Sequence, residues 1–412
     1  MRKAGFPLAL LGALLFLSPG HASDFSDVYG DAADFFSFIE DPNTGLTVFP
    51  TLTIPLGGEY EGMGTAYTAV ARDSSFFDAN PAASSMLEFT ELAFLHNNWI
   101  ADTNIEGVVF TRRRENLGYA VATKFLYVPF TGYDIWGERS SAGYYSETIL
   151  IGNISRLFLP GYYFGGVAVG ANLKAAYRHI SADIAAGQSA AGIMADFGAL
   201  TRFNFLKFFA SRAKNASLGV AVRNLGPYVQ GEPLPMSASI GVSYSPIRPV
   251  LLAADLNYPF TFDSGRYPAE KPGIAVGSSV AVTNFFSVQT GLLVKGGNPR
   301  ISLGSVVTTD TLTFVVNYTL DMTTQFTNLD RVSVAVKLNL GDEGRREKEL
   351  RVEEYYLAGI EFFAQGDISR AIEYCEKALE LDPHFDPARE TLATARRSME
   401  LQTQMEAQQR IE

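Results

Sequence analysis

Residues 332–340 read Val332-Ser333-Val334-Ala335-Val336-Lys337-Leu338-Asn339-Leu340, and this stretch decides the fold. Apolar side chains occupy every second position, and the positions between them are small or polar. Because successive side chains of a strand point to opposite faces, the pattern predicts a strand with two unlike faces. One face is apolar and carries no charge, whereas the other carries Lys337 and Asn339. A strand with lipid on one side and a wet lumen on the other has this composition.

The same alternation recurs in fourteen consecutive segments between Glu88 and Leu340. The predicted strands are residues 88–98, 105–113, 117–128, 145–158, 163–178, 190–204, 216–224, 235–245, 249–258, 272–283, 285–295, 299–307, 311–320 and 330–340. Their lengths bracket the roughly 9 to 11 residues that a tilted strand needs to cross hydrocarbon. An unpaired backbone group in lipid costs several kcal/mol, so the sheet must close. We therefore predict an all-β fold, a 14-stranded antiparallel transmembrane β-barrel over residues 88–340.

The fifth and sixth predicted strands show the two faces clearly. In the fifth, Leu173 and Tyr177 share one face, and Lys174 and Arg178 share the other. Moving such a base to the lipid side at mid-depth would cost about 2 to 4 kcal/mol, which fixes the orientation of the strand. The alternative is a soluble β-sandwich or barrel, whose polar face usually carries many more Glu and Lys residues than this chain has. We favour the membrane barrel.

The start of the chain resembles a secretory signal peptide over residues 1–22. Arg2 and Lys3 precede an apolar core from Phe6 to Leu17, and Gly20-His21-Ala22 supplies small residues for cleavage. The apolar core is too short to be a confident membrane-spanning helix. A mature chain would then begin at Ser23.

The composition suits a membrane barrel, and the motifs that would indicate catalysis are missing from the sequence. The chain has 37 Gly, 19 Tyr and 30 Phe, which suits a barrel with aromatic girdles, and its formal net charge is -11. The single cysteine, Cys375, allows no internal disulfide. The four histidines lack ligand spacing, and the sequence has no phosphate-binding glycine loop or nucleophile motif. We expect no enzyme, no cofactor, no metal and no nucleic-acid partner.

The segment before the barrel, residues 23–87, is predicted to be an internal plug. The stretch Gly62-Met63-Gly64-Thr65-Ala66-Tyr67-Thr68-Ala69 is rich in small residues, which let a backbone pack tightly against a wall. Asp73 follows, and then Asn80-Pro81-Ala82, where Asn-Pro favours a turn.

These motifs resemble the N-terminal hatch of FadL-type outer-membrane transporters for long-chain fatty acids. The chain is more closely similar to the PorV-like branch of that superfamily, including uncharacterised spirochaetal members. Further similar motifs are Val222-Arg223-Asn224-Leu225-Gly226-Pro227, Leu234-Pro235 and Ala254-Asp255-Leu256-Asn257. The resemblance covers most of residues 50–340 and implies a 14-stranded barrel with a hatch in its lumen.

The resemblance also implies passive entry of hydrophobic ligands, which in the FadL type leave sideways through a gap in the wall. No matching kink motif identifies that gap here, and Pro129 and Gly165-Gly166 are only candidate strand breakers. The plug residues to which the resemblance gives a gating role are Gly62, Gly64, Asp73, Asn80, Pro81 and Ala82. Asn80 and Pro81 fit a simple tight turn equally well.

A fatty acid needs an apolar slot for its tail and a cation or hydroxyl for its carboxylate. The predicted inward bases that fit this role are Lys124, Lys174, Arg178, Arg202 and Arg223. The competing interpretation, which we favour for any single residue, is structural. The bases would then pair with Asp196, Asp255 or plug acids such as Asp73 and hold the lumen together.

The periodicity changes to about 3.6 after a linker at residues 341–351, and residues 341–412 hold 27 of the 77 charged side chains. Residues 352–385 match one tetratricopeptide repeat, with Gly366-Asp367 at the turn between its helices. The residues that carry this pattern, and that we assign to a partner-binding repeat, are Tyr355, Gly359, Phe362, Ala371, Ala378 and Pro383. A further helix is predicted within residues 386–412.

Two functions compete. One is passive uptake of long-chain fatty acids or similar hydrophobic nutrients. The other is a non-transporting adaptor for secretion or envelope assembly, because PorV-like members serve protein secretion. One repeat and one helix fall below the roughly three repeats that a stable stack needs, which suggests docking to a periplasmic protein or to a second copy. The even strand count and the resemblance place this module in the periplasm and the barrel in outer-membrane lipid.

Overall fold

The structure is a computed structural model that describes residues 41–99, 103–209, 211–296, 298–321 and 331–409. The predicted signal peptide, residues 23–40 of the predicted plug and the last three residues lie outside the described residues.

The described residues form a closed antiparallel barrel of fourteen strands, as the sequence predicts. The strands are β1 (Glu91–Asn98), β2 (Asn104–Arg114), β3 (Leu117–Tyr133), β4 (Arg139–Phe158), β5 (Phe164–Ile180), β6 (Ala190–Phe203), β7 (Ala216–Leu225), β8 (Ser237–Tyr244), β9 (Val250–Pro259), β10 (Gly273–Ala281), β11 (Phe286–Lys295), β12 (Asn298–Thr308), β13 (Leu312–Asp321) and β14 (Arg331–Asn339). Each strand pairs with its neighbours in sequence, and β14 closes the ring on β1, with Ala335 opposite Leu95.

The strands present their apolar face outward. Leu173 of β5 and Ile193 of β6 are 64% and 65% exposed, whereas Lys174 and Asp196, on the inner face of the same strands, are buried. Further apolar side chains exposed on the barrel wall are Val121, Leu150, Ile154, Phe197, Ile240, Ile274 and Leu303. A soluble protein would cover so continuous an apolar belt, so the belt identifies the surface that lipid covers.

One predicted strand breaker does not break its strand. β3 continues through Pro129, which lies opposite Tyr144 of β4. Among the described residues, the pairing of β3 with β2 ends at Tyr127, opposite Asn104, so Pro129 takes no part in that ladder as described. The second candidate does mark an irregularity, since the β5–β6 register shifts between Phe164 and Val167, across Gly165-Gly166.

Residues 41–87 pack against the inner face of the barrel and are called the plug below. They contain helix α1 (Gly58–Gly62) and the 3₁₀ helices Pro50–Leu52, Ser74–Asp78 and Pro81–Met86. Proline suits the first turn of a helix because no intrahelical bond needs its N–H. The large fully buried apolar side chains of the plug are Phe49, Leu56, Met63, Tyr67, Phe76, Phe77 and Leu87.

The C-terminal module contains helices α3 (Arg345–Ala364), α4 (Ile368–Leu381) and α5 (Asp386–Gln409); a short helix, α2 (Ala182–Ala185), lies between β5 and β6. Helices α3 and α4 pack so closely that a Cβ on Gly359 would lie 3.0 Å from Cys375 Sγ. Among the described residues, no helix is long and apolar enough to cross a membrane.

The C-terminal module is docked on the end of the barrel where β1 begins and β14 ends, which we call the terminal rim; the opposite end is the far rim. Tyr162, in the β4–β5 turn, packs edge-on against Phe385, with ring centroids 5.1 Å apart. Arg212, in the β6–β7 loop, bridges to Glu353 at 3.2 Å and to Asp382 at 3.9 Å.

Candidate functional site

The plug backbone lies directly on the barrel wall where two predicted gate residues occur. A Cβ on Gly62 would lie 2.3 Å from Gln289 Oε1, and a Cβ on Gly64 would lie 2.7 Å from the backbone of Gly291. Gly64 also has φ +60°, a conformation that L side chains rarely adopt. Only glycine permits this approach, so the small residues of the motif close the gap between plug and wall.

Two further side chains hold the plug backbone by hydrogen bonds. Asp255 Oδ2 on β9 accepts the N–H groups of Tyr67 and Thr68 at 3.0 and 2.8 Å. Asn80 Nδ2 donates to the carbonyl oxygens of Thr68 and Ala199 at 2.9 and 3.0 Å. Asn80 Oδ1 also accepts the Ala82 N–H at 3.1 Å and so caps the helix that begins at Pro81. Asn80 therefore both forms the turn and joins the plug to β6.

Asp73 is the centre of a buried polar cluster. Its carboxylate forms an ion pair with Lys337 of β14 and accepts the Tyr67 hydroxyl at 2.8 Å. Beside it, Arg72 Nε donates to Glu59 Oε2 at 2.9 Å. Ionised groups in such a site persist only when they are paired and hydrogen-bonded. The cluster thus attaches the plug to the strand that closes the barrel.

Two of the predicted lumen bases form short ion pairs inside the barrel. Lys124 Nζ lies 2.6 Å from Asp78 Oδ1, and Lys174 Nζ lies 2.7 Å from Asp196 Oδ2. Asp196 Oδ1 also accepts the Asn224 N–H at 2.7 Å, where a one-residue irregularity interrupts the β6–β7 register. The carboxylate therefore takes the place of a missing ladder bond at this point in the wall.

The other three predicted bases lie apart from one another. Arg178, near the end of β5, forms an ion pair at 3.2 Å with Glu232 of the β7–β8 loop, at the far rim. Arg202 donates to the carbonyl oxygens of Val70 and Ala71 on the side of the plug that faces the terminal rim. Arg223 lines a cavity at the far rim. The structure therefore does not bring the five bases into a single site.

This far-rim cavity lies between the plug and the barrel wall and has a volume of about 230 Å³. The apolar and aromatic residues that line it include Ile54, Tyr60, Trp99, Leu234, Met236, Phe260 and Leu293. Arg223 donates from Nη1 to the Asp78 carbonyl at 2.6 Å and from Nη2 to Ser239 Oγ and Asn257 Oδ1 at 2.8 and 3.0 Å. These acceptors are uncharged oxygens, in contrast to the partners of Lys124 and Lys174. The cavity therefore combines an apolar wall with a cationic group.

Sequence reasoning did not nominate Lys337, Glu59 or Trp99 as site residues. The alternation of β14 already placed Lys337 on the inner face. A base on that face needs a counter-charge, and the acids of the plug could supply it, so the sequence did contain a signal for Lys337. Nothing in the local pattern identified Glu59 or Trp99, because their roles depend on where the plug runs. Arg331 stacks on Trp99, with the guanidinium carbon 4.3 Å from the ring centroid.

The residues that define the predicted repeat lie mostly between its helices. Ala371 and Ala378 are fully buried, and Gly359 is buried against Cys375. Phe362 and Tyr374 stack at 5.2 Å. These residues hold the helices together, so partner contacts would come from side chains around them.

Comparison with known proteins assigns the chain to a family. A family model for the uncharacterised protein family UPF0164 matches residues 31–343, and a model for the tetratricopeptide repeat matches residues 352–385. The chain belongs to the UPF0164 family. A UPF0164 protein of Treponema pallidum (strain Nichols) is 30% identical over 371 residues, which are 87% of this chain and 84% of the relative. Another from the same organism is 25% identical, over 85% of this chain and 76% of the relative.

Solved barrels are also similar to this UPF0164 chain. The toluene transporter TodX of Pseudomonas putida has a TM-score of 0.44 at 8% identity, covering 67% of this chain and 96% of TodX. A FadL homologue of Pseudomonas aeruginosa has a TM-score of 0.42 at 10% identity, covering 68% of this chain and 98% of the homologue. Membership of the PorV-like branch stays a prediction.

Proposed function

We propose that this UPF0164 protein is an outer-membrane channel for the passive uptake of long-chain fatty acids or similar hydrophobic small molecules. The observation that carries the proposal is the far-rim cavity, where an apolar wall adjoins the guanidinium of Arg223. A fatty acid requires both features, since its tail gains by leaving water and its carboxylate needs a cation. In this proposal the far rim faces the outside and the C-terminal module lies in the periplasm.

Arg223 is the predicted base best suited to meet the carboxylate. Its guanidinium is positioned by three hydrogen bonds to uncharged oxygens, so a ligand carboxylate would not displace an existing ion pair. Binding there would instead add a charge-assisted hydrogen bond. Lys124 and Lys174 already contact carboxylates, and we assign them to the structure of the lumen.

Passage beyond this cavity requires movement of the plug. The contacts of Gly62, Gly64 and Asp73 with the wall close the lumen, and Asn80 holds the plug to β6. We propose that ligand binding beside Tyr60, which belongs to α1, displaces this helix and so loosens the adjoining Gly62–Gly64 contact. The gating role of these residues, and of Pro81 and Ala82, is part of this proposal.

Binding of radiolabelled palmitate to the refolded full chain tests the proposal, with an unrelated barrel as the background. We expect saturable binding above that background, in which the affinity of one class of sites falls about tenfold or more in Arg223→Gln because one charge-assisted hydrogen bond is lost. The matched control is Arg139→Gln, an exposed base outside the cavity. Palmitate binding no greater than that of the unrelated barrel would refute the channel.

A second candidate function is the adaptor, in which the barrel anchors the helical module for secretion or envelope assembly. The observation in its favour is the polar seal of the lumen, with the buried pairs Lys124–Asp78, Lys174–Asp196 and Lys337–Asp73. A pull-down from envelope extracts distinguishes it. Deletion of residues 345–412 should remove a periplasmic partner, and an unchanged set of partners would count against the adaptor.

A further inference from the structure

A second and larger cavity lies at the terminal rim, between the barrel and the C-terminal module. This space, which we call the rim chamber, has a volume of about 1090 Å³. Val70 and Arg202 line it from the plug side, and Lys348 and Val352 of α3 line it from the opposite side. It is separate from the far-rim cavity, with which it shares no lining residue.

Basic residues predominate in the lining of the rim chamber. Nine Arg and Lys side chains line it against four acidic side chains, and one of the nine, Arg72, already pairs with Glu59 of the plug. The other bases include Arg113, Arg114, Arg202, Lys214, Arg345 and Lys348. Three of these acids already contact a base, since Glu343 pairs with Arg112 and both Glu349 and Asp382 pair with Arg212. The space therefore has a positive potential, which the low-dielectric walls beside it strengthen.

Several of these bases contact backbone carbonyl oxygens in place of carboxylates. Arg113 Nε donates to the Glu115 carbonyl at 2.8 Å, and Arg345 donates to the carbonyls of Arg113 and Glu88 at 2.8 and 2.7 Å. Lys214 donates to the Tyr162 carbonyl. Such contacts orient the cations without cancelling their charge.

Lys214, in the β6–β7 loop, shows how this positive potential affects a side chain. Burial, followed by the nearby charges of Lys207 and Arg212, lowers the pKa of Lys214. Like charges held close together disfavour the protonated form. An anion in the chamber would relieve this repulsion.

The rim chamber also offers apolar surface beside these bases. Its apolar lining includes Val70, Met86, Tyr162, Leu251, Val352 and Leu381. Ligand pockets of proteins usually occupy about 300 to 1,000 Å³, so the chamber has room for a small amphiphile. A purely inorganic anion would leave this apolar surface unused.

We propose that the rim chamber binds the anionic head group of an amphiphile, either a carboxylate or a phosphate ester, with the rim bases as its counter-charges. The apolar residues contact the first part of the chain. This site does not depend on the channel function, because it would bind the same head group if the barrel transported nothing. Docking of α3 on the terminal rim completes the site.

Photo-cross-linking of the full chain in detergent micelles tests the proposal. The probes are diazirine derivatives of palmitate, hexadecyl phosphate and neutral hexadecanol, and mass spectrometry identifies the labelled peptides. We expect both anionic probes, but not the alcohol, to label peptides around Tyr162 and Val352. Arg114→Gln/Lys348→Gln should weaken this labelling about tenfold. Both side chains are exposed, so the substitutions should leave the barrel folded.

The matched control is Arg370→Gln/Arg397→Gln, which removes two exposed bases of the C-terminal module that do not line the chamber and should leave labelling unchanged. Stronger labelling by palmitate indicates a fatty acid as the source, and stronger labelling by hexadecyl phosphate indicates a membrane phospholipid; both support the site. Equal labelling by the alcohol, or unchanged labelling of the Arg114→Gln/Lys348→Gln protein, would overturn it. Failure of palmitate to bind at Arg223 while chamber labelling persists would refute the channel alone.

Discussion

Lys337 of the last strand and Asp73 of the plug form an ion pair whose side chains are 4% and 6% exposed. Asp73 also accepts the Ser75 N–H at 3.0 Å and so caps the helix Ser74–Asp78. One carboxylate thus fixes a plug helix and joins it to the strand that closes the barrel on β1. The stability of the plug and the closure of the barrel are therefore coupled through this pair.

Replacing Lys337 by Met tests that coupling. The substitution leaves a buried carboxylate without its counter-charge, which should lower the free energy of unfolding by about 3 to 5 kcal/mol. Urea titration of the refolded protein measures this change. Lys337→Met/Asp73→Leu should recover most of it, because no charge is then left unpaired. Arg351→Met, which removes one partner of the exposed pair with Glu347, is the control and should have no measurable effect. Equal losses for Lys337→Met and Arg351→Met would contradict the assignment.

A methyl group at position 64 should open the seal between plug and wall. Gly64→Ala places a Cβ 2.7 Å from the Gly291 backbone at a φ of +60°, so the plug must shift. We expect a cost of about 1 to 3 kcal/mol and a higher ion conductance in planar bilayers. Gly152→Ala is the matched control, since its Cβ meets nothing within 4 Å. Wild-type conductance of the Gly64→Ala protein would show that this contact does not limit ion flow.

A charge on the outer face should be costly in proportion to its depth. Leu173→Arg, in the interior of β5, should destabilise the barrel by about 2 to 4 kcal/mol, whereas Phe285→Arg, in the β10–β11 turn, should cost about 0 to 1 kcal/mol. Folding titrations into lipid vesicles measure both values. Similar costs at both positions would mean that the apolar belt does not face hydrocarbon.

The strands could be predicted because alternation is a local property. Lys337 is buried and Leu338 is partly exposed, because neighbouring residues on a strand face opposite sides. The sequence shows this difference as an alternation of polar and apolar residues. The extension of β3 and β4 to Tyr133 and Arg139 could not be predicted in this way, because strands that project beyond the bilayer need no alternation.

The contacts inside the lumen could be predicted only in part. The pairing of Lys174 with Asp196 was anticipated as one of several options, and it connects neighbouring strands. Asp255 was expected to pair with a base but instead accepts two plug N–H groups. Its role depends on the path of the plug, which follows from packing in three dimensions.

Docking of the C-terminal module should depend on Arg212, which bridges to Glu349 and Glu353 and stacks on Phe385, with 5.6 Å between the guanidinium carbon and the ring centroid. Arg212→Ala removes this group while leaving the helices intact. α3 begins at Arg345, so the predicted linker at residues 341–351 is wrong and only residues 341–344 precede the helix. We expect faster proteolysis at residues 341–344, because each partly exposed pair contributes about 0.2 to 1 kcal/mol to docking. Arg370→Ala, which affects a pair within the module, is the control. Identical digestion rates for the two variants would exclude Arg212 as a docking residue.

Cys375 provides a probe of the C-terminal module alone, because it is the only cysteine in the chain and is fully buried between α3 and α4. Burial, and then the charge of Glu376, raises the pKa of the Cys375 thiol. A maleimide should therefore react slowly with the folded chain and rapidly once urea unfolds the module.

The same shift in pKa predicts how the module responds to pH. The unfolded thiol ionises at lower pH than the folded one, so the module should lose stability as the pH rises above the ordinary thiol pKa. The urea midpoint of the module, followed by circular dichroism, should accordingly fall between pH 7 and pH 10. Cys375→Ser, followed in the same way, should lack this component of the pH dependence. Rapid labelling without urea would mean that the helices open readily. Because α3 also borders the rim chamber, anionic probes should then label the chamber weakly in the same preparation.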